Sequence, residues 1–310
     1  MRTFSYDNLG TSPANYLRAA HRAANQVITQ YSTSFGLAVT LLKEPVRTDV
    51  RNIYAMVRVA DEIVDGACAG IPHSQIAQIL DDYEARVFTA CELGFSSDLI
   101  LHAFAETANR CRIDHESITA FFNSMRSDLT VDQHDGDSLE TYVYGSAEVV
   151  GLMCLRTFLA SVPDPEAAWA ELSPGAKRLG AAFQKVNFLR DIAADSGDLG
   201  RTYFPGVTPQ TLDEKTKIRL VDEIDADLAA AADVIPRLPD SSRLAVRLVH
   251  DLFAELNRRI RLTPASRLAH TRVRVPNQYK AWLLTQASAT EFSPQFTQDL
   301  FRRMRAGQDA

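Results

Sequence analysis

Asp61 and Asp65 stand four residues apart in Arg51-Asn-Ile-Tyr54-Ala-Met-Val-Arg58-Val-Ala-Asp61-Glu62-Ile-Val-Asp65. Asp191 and Asp195 repeat that spacing in Gln184-Lys-Val-Asn187-Phe-Leu-Arg190-Asp191-Ile-Ala-Ala-Asp195. On a helix, residues four apart lie on one face, and two like charges there destabilise a bare helix by about 0.2–0.5 kcal/mol. The residues between the first pair are apolar nearly all round: Ile53, Met56, Val57, Val59, Ala60, Ile63 and Val64. Such a helix is buried, and buried carboxylates need partners. Arg58, one turn earlier on the same face, is one partner; a divalent cation is another. In the second stretch Gln184, Asn187, Asp191 and Asp195 step by 3, 4 and 4, a polar seam along an otherwise apolar helix. One pair alone reads as a solvated helix face. Two pairs on apolar helices, facing each other across a cavity, would hold Mg²⁺, which takes one or two carboxylates plus substrate phosphate oxygens. The chemistry this suits is ionisation of a diphosphate ester, with metals and arginines stabilising the leaving group.

The elements that must carry these residues are helices. All 13 prolines fall where a helix could begin or end, and apolar residues between them recur at three- and four-residue spacing. The pattern predicts helices over 14–32, 47–66, 73–93, 97–111, 115–127, 138–161, 173–195, 213–235, 240–262, 276–287 and 294–305. Thr271 to Val275 alternates like a strand, but Pro276 ends it. The run Asp132-Gln-His-Asp-Gly-Asp137 reads as a solvated acidic loop, with Asp137 or Ser138 as N-cap of the next helix; its spacing does not match an EF-hand. With no internal repeat and no long linker, one all-α domain over 1–310, its core from about 14 to 290, is the expected organisation.

Composition narrows the function classes. The 310 residues are 46% hydrophobic and 23% charged, a globular balance, and the net charge of −6 lacks the basic footprint of a nucleic-acid binder. An anionic substrate must then be handled locally, by metal ions or a few arginines. Cys68, Cys91, Cys111 and Cys154 form no CxxC, so reduced thiols are expected. No N-terminal stretch has a signal-peptide pattern, and Val149 to Leu155 is too short an apolar run to span a bilayer, which reads as a cytoplasmic protein. Phe301-Arg-Arg-Met-Arg305 reads as a basic, solvated helix end, with peripheral contact to anionic membrane lipid as the alternative. No feature fixes an oligomeric state.

At these residues the sequence resembles the squalene/phytoene synthase family, and within it bacterial phytoene synthases. The resemblance runs from about residue 25 to 287. It rests, in order, on Tyr31-Ser-Thr-Ser-Phe35, the Tyr54–Asp65 block, Tyr142-Val-Tyr-Gly-Ser-Ala-Glu-Val-Val-Gly-Leu-Met153, the Gln184–Asp195 block, Arg201-Thr-Tyr-Phe-Pro205 and Arg272-Val-Arg-Val-Pro276. It implies an all-α isoprenoid synthase bundle with the two aspartate-rich helices on opposite walls of a central cavity. It also implies a reaction, the head-to-head joining of two allylic prenyl diphosphates through a cyclopropyl diphosphate.

The resemblance assigns roles by position. Asp61, Glu62 and Asp65 would bind Mg²⁺ on one wall, and Asn187, Asp191 and Asp195 on the other, with Mn²⁺ an acceptable substitute. Gln184 would lie near the reacting carbons. Arg58, Arg190, Arg201 and Arg272 would grip diphosphate oxygens, Ser32, Ser34 and Phe35 would lie near a diphosphate, and Tyr54, Tyr142 and Tyr203 would line the reaction centre. Glu148 departs from the pattern by placing a charge where most relatives have glycine. Phe253 stands where some have tyrosine. Small residues near the expected wall, Gly36, Ala38, Val39, Ala176 and Gly180, favour C20 tails, hence phytoene from two geranylgeranyl diphosphates without NADPH. The alternative is a C15-using dehydrosqualene or squalene synthase; a non-catalytic assembly homologue is disfavoured because both aspartate motifs are complete. A head-to-tail synthase is disfavoured because Asp81-Asp82 is followed by Tyr-Glu-Ala, without a third aspartate at DDxxD spacing.

Overall fold

The computed structural model describes residues 12–32, 34–65, 68, 70–198, 201–276, 278–280, 282, 283 and 285, with Ser34 and residues 194–198 described by backbone alone. Helices dominate, and among the described residues the only β pairing is an isolated parallel bridge between Gln133 and Thr202. Helix α1 is Pro13–Tyr31, started by Ser12, whose side chain accepts from the Asn15 amide. A short α2, Ser34–Val39, leads into α3, Val46–Asp65. Next come α4 (His73–Leu93), closed by Gly94 at φ 65°, α5 (Leu99–Cys111), capped by Asp98, and α6 (His115–Ser127), capped by Asp114. Helix α7 (Gly136–Val143) passes through a π-helical turn, Tyr144–Glu148, into α8 (Val149–Leu159). The long α9 is Pro165–Asp198. Then follow α10 (Glu214–Val234), a 3₁₀ turn at Ile235–Arg237, α11 (Arg243–Leu262) and α12 (Ala265–Leu268).

Several boundaries differ from the sequence reading, each for a physical reason. Pro174 lies inside α9, not at its start. A proline inside a helix removes one hydrogen bond and costs about 3 kcal/mol by itself, so local rules end the helix there while tertiary packing carries it through. The segment predicted as one helix over 138–161 is α7, the π turn and α8. Its N-cap is Asp135, which forms a reciprocal capping box with Ser138, rather than Asp137 or Ser138. Helix α2 was not anticipated, because six residues are too few to show a period. The 132–137 run is no solvated loop throughout: His134 is buried, and the strand-like pairing with Thr202 holds it, with Thr202 N–H donating to Asp132 O at 2.8 Å and His134 N–H to Thr202 O at 3.1 Å. Residues 278–280, 282, 283 and 285 of the predicted 276–287 helix are helical. The predicted 294–305 helix and Phe301–Arg305 lie outside the described residues.

Helix pairs that must sit close are built with small residues. Ala20, Ala24, Ala55 and Ala103 let α1, α3 and α5 approach one another. The π turn is held between α6 and α9 by glycines. A Cβ on Gly145 would come within 2.2 Å of the Ala120 carbonyl oxygen on α6, and one on Gly180 of α9 within 2.7 Å of the Ala147 carbonyl oxygen. On another side of α9, Lys185 and Arg178 both donate to the buried Asp227 of α10, at 2.8 and 2.9 Å. These contacts fix the rotation of α9 about its axis, and therefore where its polar seam points. Buried Lys217 donates to the carbonyls of Arg261 and Thr263 at 3.0 and 2.6 Å, meeting the unpaired carbonyls at the end of α11. No helix among the described residues is long and apolar enough to cross a membrane.

Gly145→Ala forces a methyl group against backbone, so it should lower unfolding stability by about 1–3 kcal/mol. Gly136→Ala, where a Cβ meets nothing within 4 Å, should stay within about 0.5 kcal/mol of wild type. Urea melts of the two variants check this.

Candidate active site

Helices α3 and α9 line one cavity of about 380 Å³. From α3 come Val50, Tyr54 and Val57, at i, i+4 and i+7; from α9 come Ala176, Leu179, Gly180, Phe183, Gln184 and Asn187, again one helical stripe. The polar lining groups, Tyr54, Ser146, Gln184 and Asn187, are few, and the rest of the wall is apolar. The far end is closed by Leu172 of α9 with Val234, Ile235 and Leu238. One turn beyond Val57 on α3 is Asp61, and one turn beyond Asn187 on α9 is Asp191. The two acidic pairs thus belong to helices that face the same cavity, at its polar end.

Each described carboxylate at this end is tied to an arginine. Arg58 donates through Nη1 to Asp61 at 2.6 Å and through Nη2 to Glu62, and its guanidinium lies 4.5 Å from the centre of the Tyr31 ring. Asp65 accepts from Arg201 Nη1 at 2.7 Å. Asp191 accepts from Arg190 Nε at 3.0 Å and from Arg272, through Nε at 2.7 Å and Nη2 at 3.0 Å. Burial, then repulsion from Asp65, pushes the Asp61 carboxyl from its ordinary 3.8 to about 6, against the pull of Arg58 and Arg201. The side chains of Asp195 and Ser34 lie outside the described residues.

The neutral groups are held as firmly. Gln184 Nε2 donates to Ser146 Oγ at 3.3 Å, a bond that exists because the π turn brings Ser146 over α9. Ser32 Oγ accepts from the Gly36 amide at 3.3 Å, at the entry to α2. Tyr54 stacks on Phe35 with ring centres 5.7 Å apart. Tyr142 and Tyr203, which the family resemblance assigns to the reaction centre, stand beside the cavity in an aromatic wall against α9. Tyr203 lies flat on Phe188, at 3.9 Å and 8° between planes, and Tyr142 packs 5.4 Å from Tyr203.

Sequence reasoning missed three members of this site. Asp128, just past the end of α6, is buried and accepts from the Tyr142 hydroxyl at 3.1 Å; burial pushes its carboxyl to about 7, opposed by Arg201. His134 stacks on Tyr203 with ring centres 5.8 Å apart. Ser146 holds Gln184. Asp128 has Asp132 four residues on, but α6 ends at Ser127, so that spacing puts no pair on a helix face, and the contacts that matter for the three lie 14 to 73 residues away along the chain.

The donors gathered here are oxygens, the ligand type a hard divalent ion prefers. Among the described residues no group of three or more carboxylate, histidine or cysteine side chains is drawn together as a ready-made metal cage. The carboxylates stand on facing helices, each neutralised by arginine, so this set suits an ion whose remaining ligands come from an anionic substrate.

A sequence profile described as squalene/phytoene synthase matches residues 28–278. A chloroplastic phytoene synthase of Daucus carota is 30% identical over 213 residues, covering 66% of this chain and 52% of the relative. The 4,4'-diapophytoene synthase of Staphylococcus haemolyticus is 29% identical over 212 residues, covering 68% and 70%. The chain thus spans about half the length of the plant relative. In fold it is similar to a crystal structure of a dehydrosqualene synthase in complex with ligand, with TM-score 0.73 and 20% identity over 90% of this chain and 99% of that one. Squalene synthase HpnC from Alicyclobacillus acidocaldarius follows with TM-score 0.70 and 20% identity, over 86% and 99%. The implied all-α isoprenoid synthase fold is therefore the observed one.

A carboxyl whose pKa is raised by folding binds its proton more tightly folded than unfolded, so stability falls as pH rises from about 4 to about 6. Asp61→Asn should therefore raise the melting temperature of the metal-free protein at pH 8, and the gain should vanish below pH 4. Thermal melts across that range test it; an Asp61→Asn protein less stable than wild type at pH 8 would refute it.

Proposed function

The chain belongs to the squalene/phytoene synthase family, and we propose that it joins two geranylgeranyl diphosphates head to head to give phytoene, with release of two diphosphates. The observation that carries the C20 reading is the length of the apolar cavity. Its α9 wall runs from Asn187 at the polar end to Leu172 at the closed end, fifteen residues and about 22 Å at 1.5 Å per residue. An extended geranylgeranyl tail has sixteen carbons and fifteen bonds in line, about 18 Å at roughly 1.2 Å per bond of an extended chain. A farnesyl tail, with eleven such bonds and about 13 Å on the same scale, would leave the closed end unfilled. The likeness to a diapophytoene synthase supports the second reading, two C15 substrates.

In this reading Asp61, Glu62 and Asp65 hold Mg²⁺ from one wall, and Asn187, Asp191 and Asp195 from the other. Bound there, Mg²⁺ supplies positive charge to the departing diphosphate. Arg58, Arg190 and Arg272 exchange their carboxylate partners for diphosphate oxygens, placing a guanidinium fork against each phosphate. Ser32, just ahead of α2, would lie beside the same anion, and Ser34 is the second serine that the family resemblance assigns there. The first allylic cation is attacked by the double bond of the second substrate, and proton loss closes the cyclopropane. The cyclopropyl diphosphate ionises in turn, rearranges and loses a second proton to set the central double bond; each proton goes to a released diphosphate oxygen or to a tyrosine hydroxyl. Gln184, anchored by Ser146, presents its amide to the reacting carbons. The face of Tyr54, which lines the cavity, stabilises cationic carbon by about 0.5–2 kcal/mol, and the apolar wall keeps water from trapping the cations as alcohols. No reductant takes part.

Incubation with Mg²⁺ and either geranylgeranyl or farnesyl diphosphate, followed by chromatography, tests the reading. Phytoene without NADPH is expected; squalene formed only with NADPH, or faster turnover of the C15 substrate, would overturn the C20 assignment. Asp65→Asn and Asp191→Asn should each lower kcat by about 10²–10³ or more with far-ultraviolet circular dichroism unchanged. Leu172→Trp shortens the closed end and should shift the C20-to-C15 ratio of kcat/KM by about tenfold toward C15.

A further inference from the structure

Asp128 is a carboxylate with 5% side-chain exposure that belongs to neither aspartate motif. A buried charge survives only if it is paired and hydrogen-bonded, and its partners here come from distant parts of the site. Arg201 Nη1 stands 3.7 Å from Asp128 Oδ1 while donating to Asp65 Oδ1 at 2.7 Å, and Arg201 Nη2 donates to the Asp128 carbonyl at 3.0 Å. On its other oxygen Asp128 accepts from Tyr142 at 3.1 Å. Tyr142 in turn packs with its ring centre 5.4 Å from that of Tyr203, which lies flat on Phe188 at 3.9 Å. The backbone prepares this arrangement, since the Gln133–Thr202 bridge already clips the segment after α6 to the segment bearing Arg201 and Tyr203.

We propose that Asp128 is a positioning residue of the condensation, one that holds Arg201 against Asp65 of α3 and, through Tyr142, holds Tyr203 flat on Phe188 of α9. One side chain outside both motifs thus sets the spacing between the carboxylate wall and the aromatic wall. It shares the charge of Arg201, so that guanidinium reaches Asp65 through a single oxygen and leaves the carboxylate able to take a cation. The catalytic part of this inference rests on the head-to-head reading above.

The test uses Asp128→Asn, Asp128→Glu and Tyr142→Phe in the full chain, with two readouts. The first is steady-state kinetics on geranylgeranyl diphosphate with Mg²⁺. For Asp128→Asn, kcat should fall about tenfold or more with KM within about threefold, and Asp128→Glu should recover part of the loss. Tyr142→Phe, which spares the Arg201 ion pair, should lose less than Asp128→Asn. The second readout needs no substrate: trypsin cleaves after arginine, and Arg201 is 9% exposed. Cleavage after Arg201 should rise severalfold in Asp128→Asn and stay near wild type in Tyr142→Phe. Wild-type kcat in Asp128→Asn, a loss that merely tracks its melting temperature, or unchanged cleavage after Arg201 would each overturn the proposal. If the wild type itself fails to condense geranylgeranyl diphosphate, the functional reading falls, whereas the cleavage experiment still decides whether Asp128 clamps Arg201.

Discussion

Everything in this site depends on keeping several carboxylates partly out of water at the end of an apolar cavity. Alone, such charges would take up protons or unfold the helices that carry them. The protein meets the cost with arginine: Arg58 on Asp61 and Glu62, Arg201 on Asp65 and Asp128, Arg190 and Arg272 on Asp191. The compensation is incomplete at Asp61, whose carboxyl is raised first by burial and then by repulsion from Asp65. On the proposed function, that incomplete compensation is what would let the site gain from a metal-bound diphosphate, with the same arginines passing from carboxylate to anion.

The second requirement is orientation, and it is met by packing at small residues rather than by polar bonds alone. Gly145 and Gly180 let the π turn lie between α6 and α9, and that turn delivers Ser146 to Gln184. A π turn costs regular helix hydrogen-bond geometry and is frequent at functional sites. Here its use is visible, since it shifts the register of the α7–α8 chain where a side chain must meet the polar seam of α9. Across α9, the Arg178 and Lys185 pairs with Asp227 hold the same helix from behind. A helix held on two sides presents its seam at a fixed angle, which precise placement of reacting groups needs.

Much of the architecture was legible along the chain. Helices α1, α3, α4, α5, α6, α10 and α11 fall within three residues of the predicted boundaries, because caps and apolar periodicity are local signals. Two misreadings share one cause. Pro174 was read as a helix start and residues 132–137 as solvent-facing loop, although α9 runs through the proline and His134 is buried against Tyr203. Locally both readings were the cheaper ones, and contacts from distant segments reversed them. Asp128 is the extreme case: an acidic residue after a helix looks like any surface aspartate until Tyr142 and Arg201 close over it.

The residue pattern alone was enough to specify helices, the inward face of each aspartate-bearing helix and the type of chemistry that paired carboxylates with nearby arginines can support. Periodicity does this because it reports the direction of a side chain relative to the axis of its own helix. It carries no information about which side chain from another segment will meet it. That α3 and α9 share one cavity, that the cavity extends to Leu172 and Ile235, that Arg201 bridges Asp65 and Asp128, and that Ser146 holds Gln184 were settled only when the helices packed. Those contacts are set by interhelical distance and rotation, which close approaches at small residues and buried ion pairs determine.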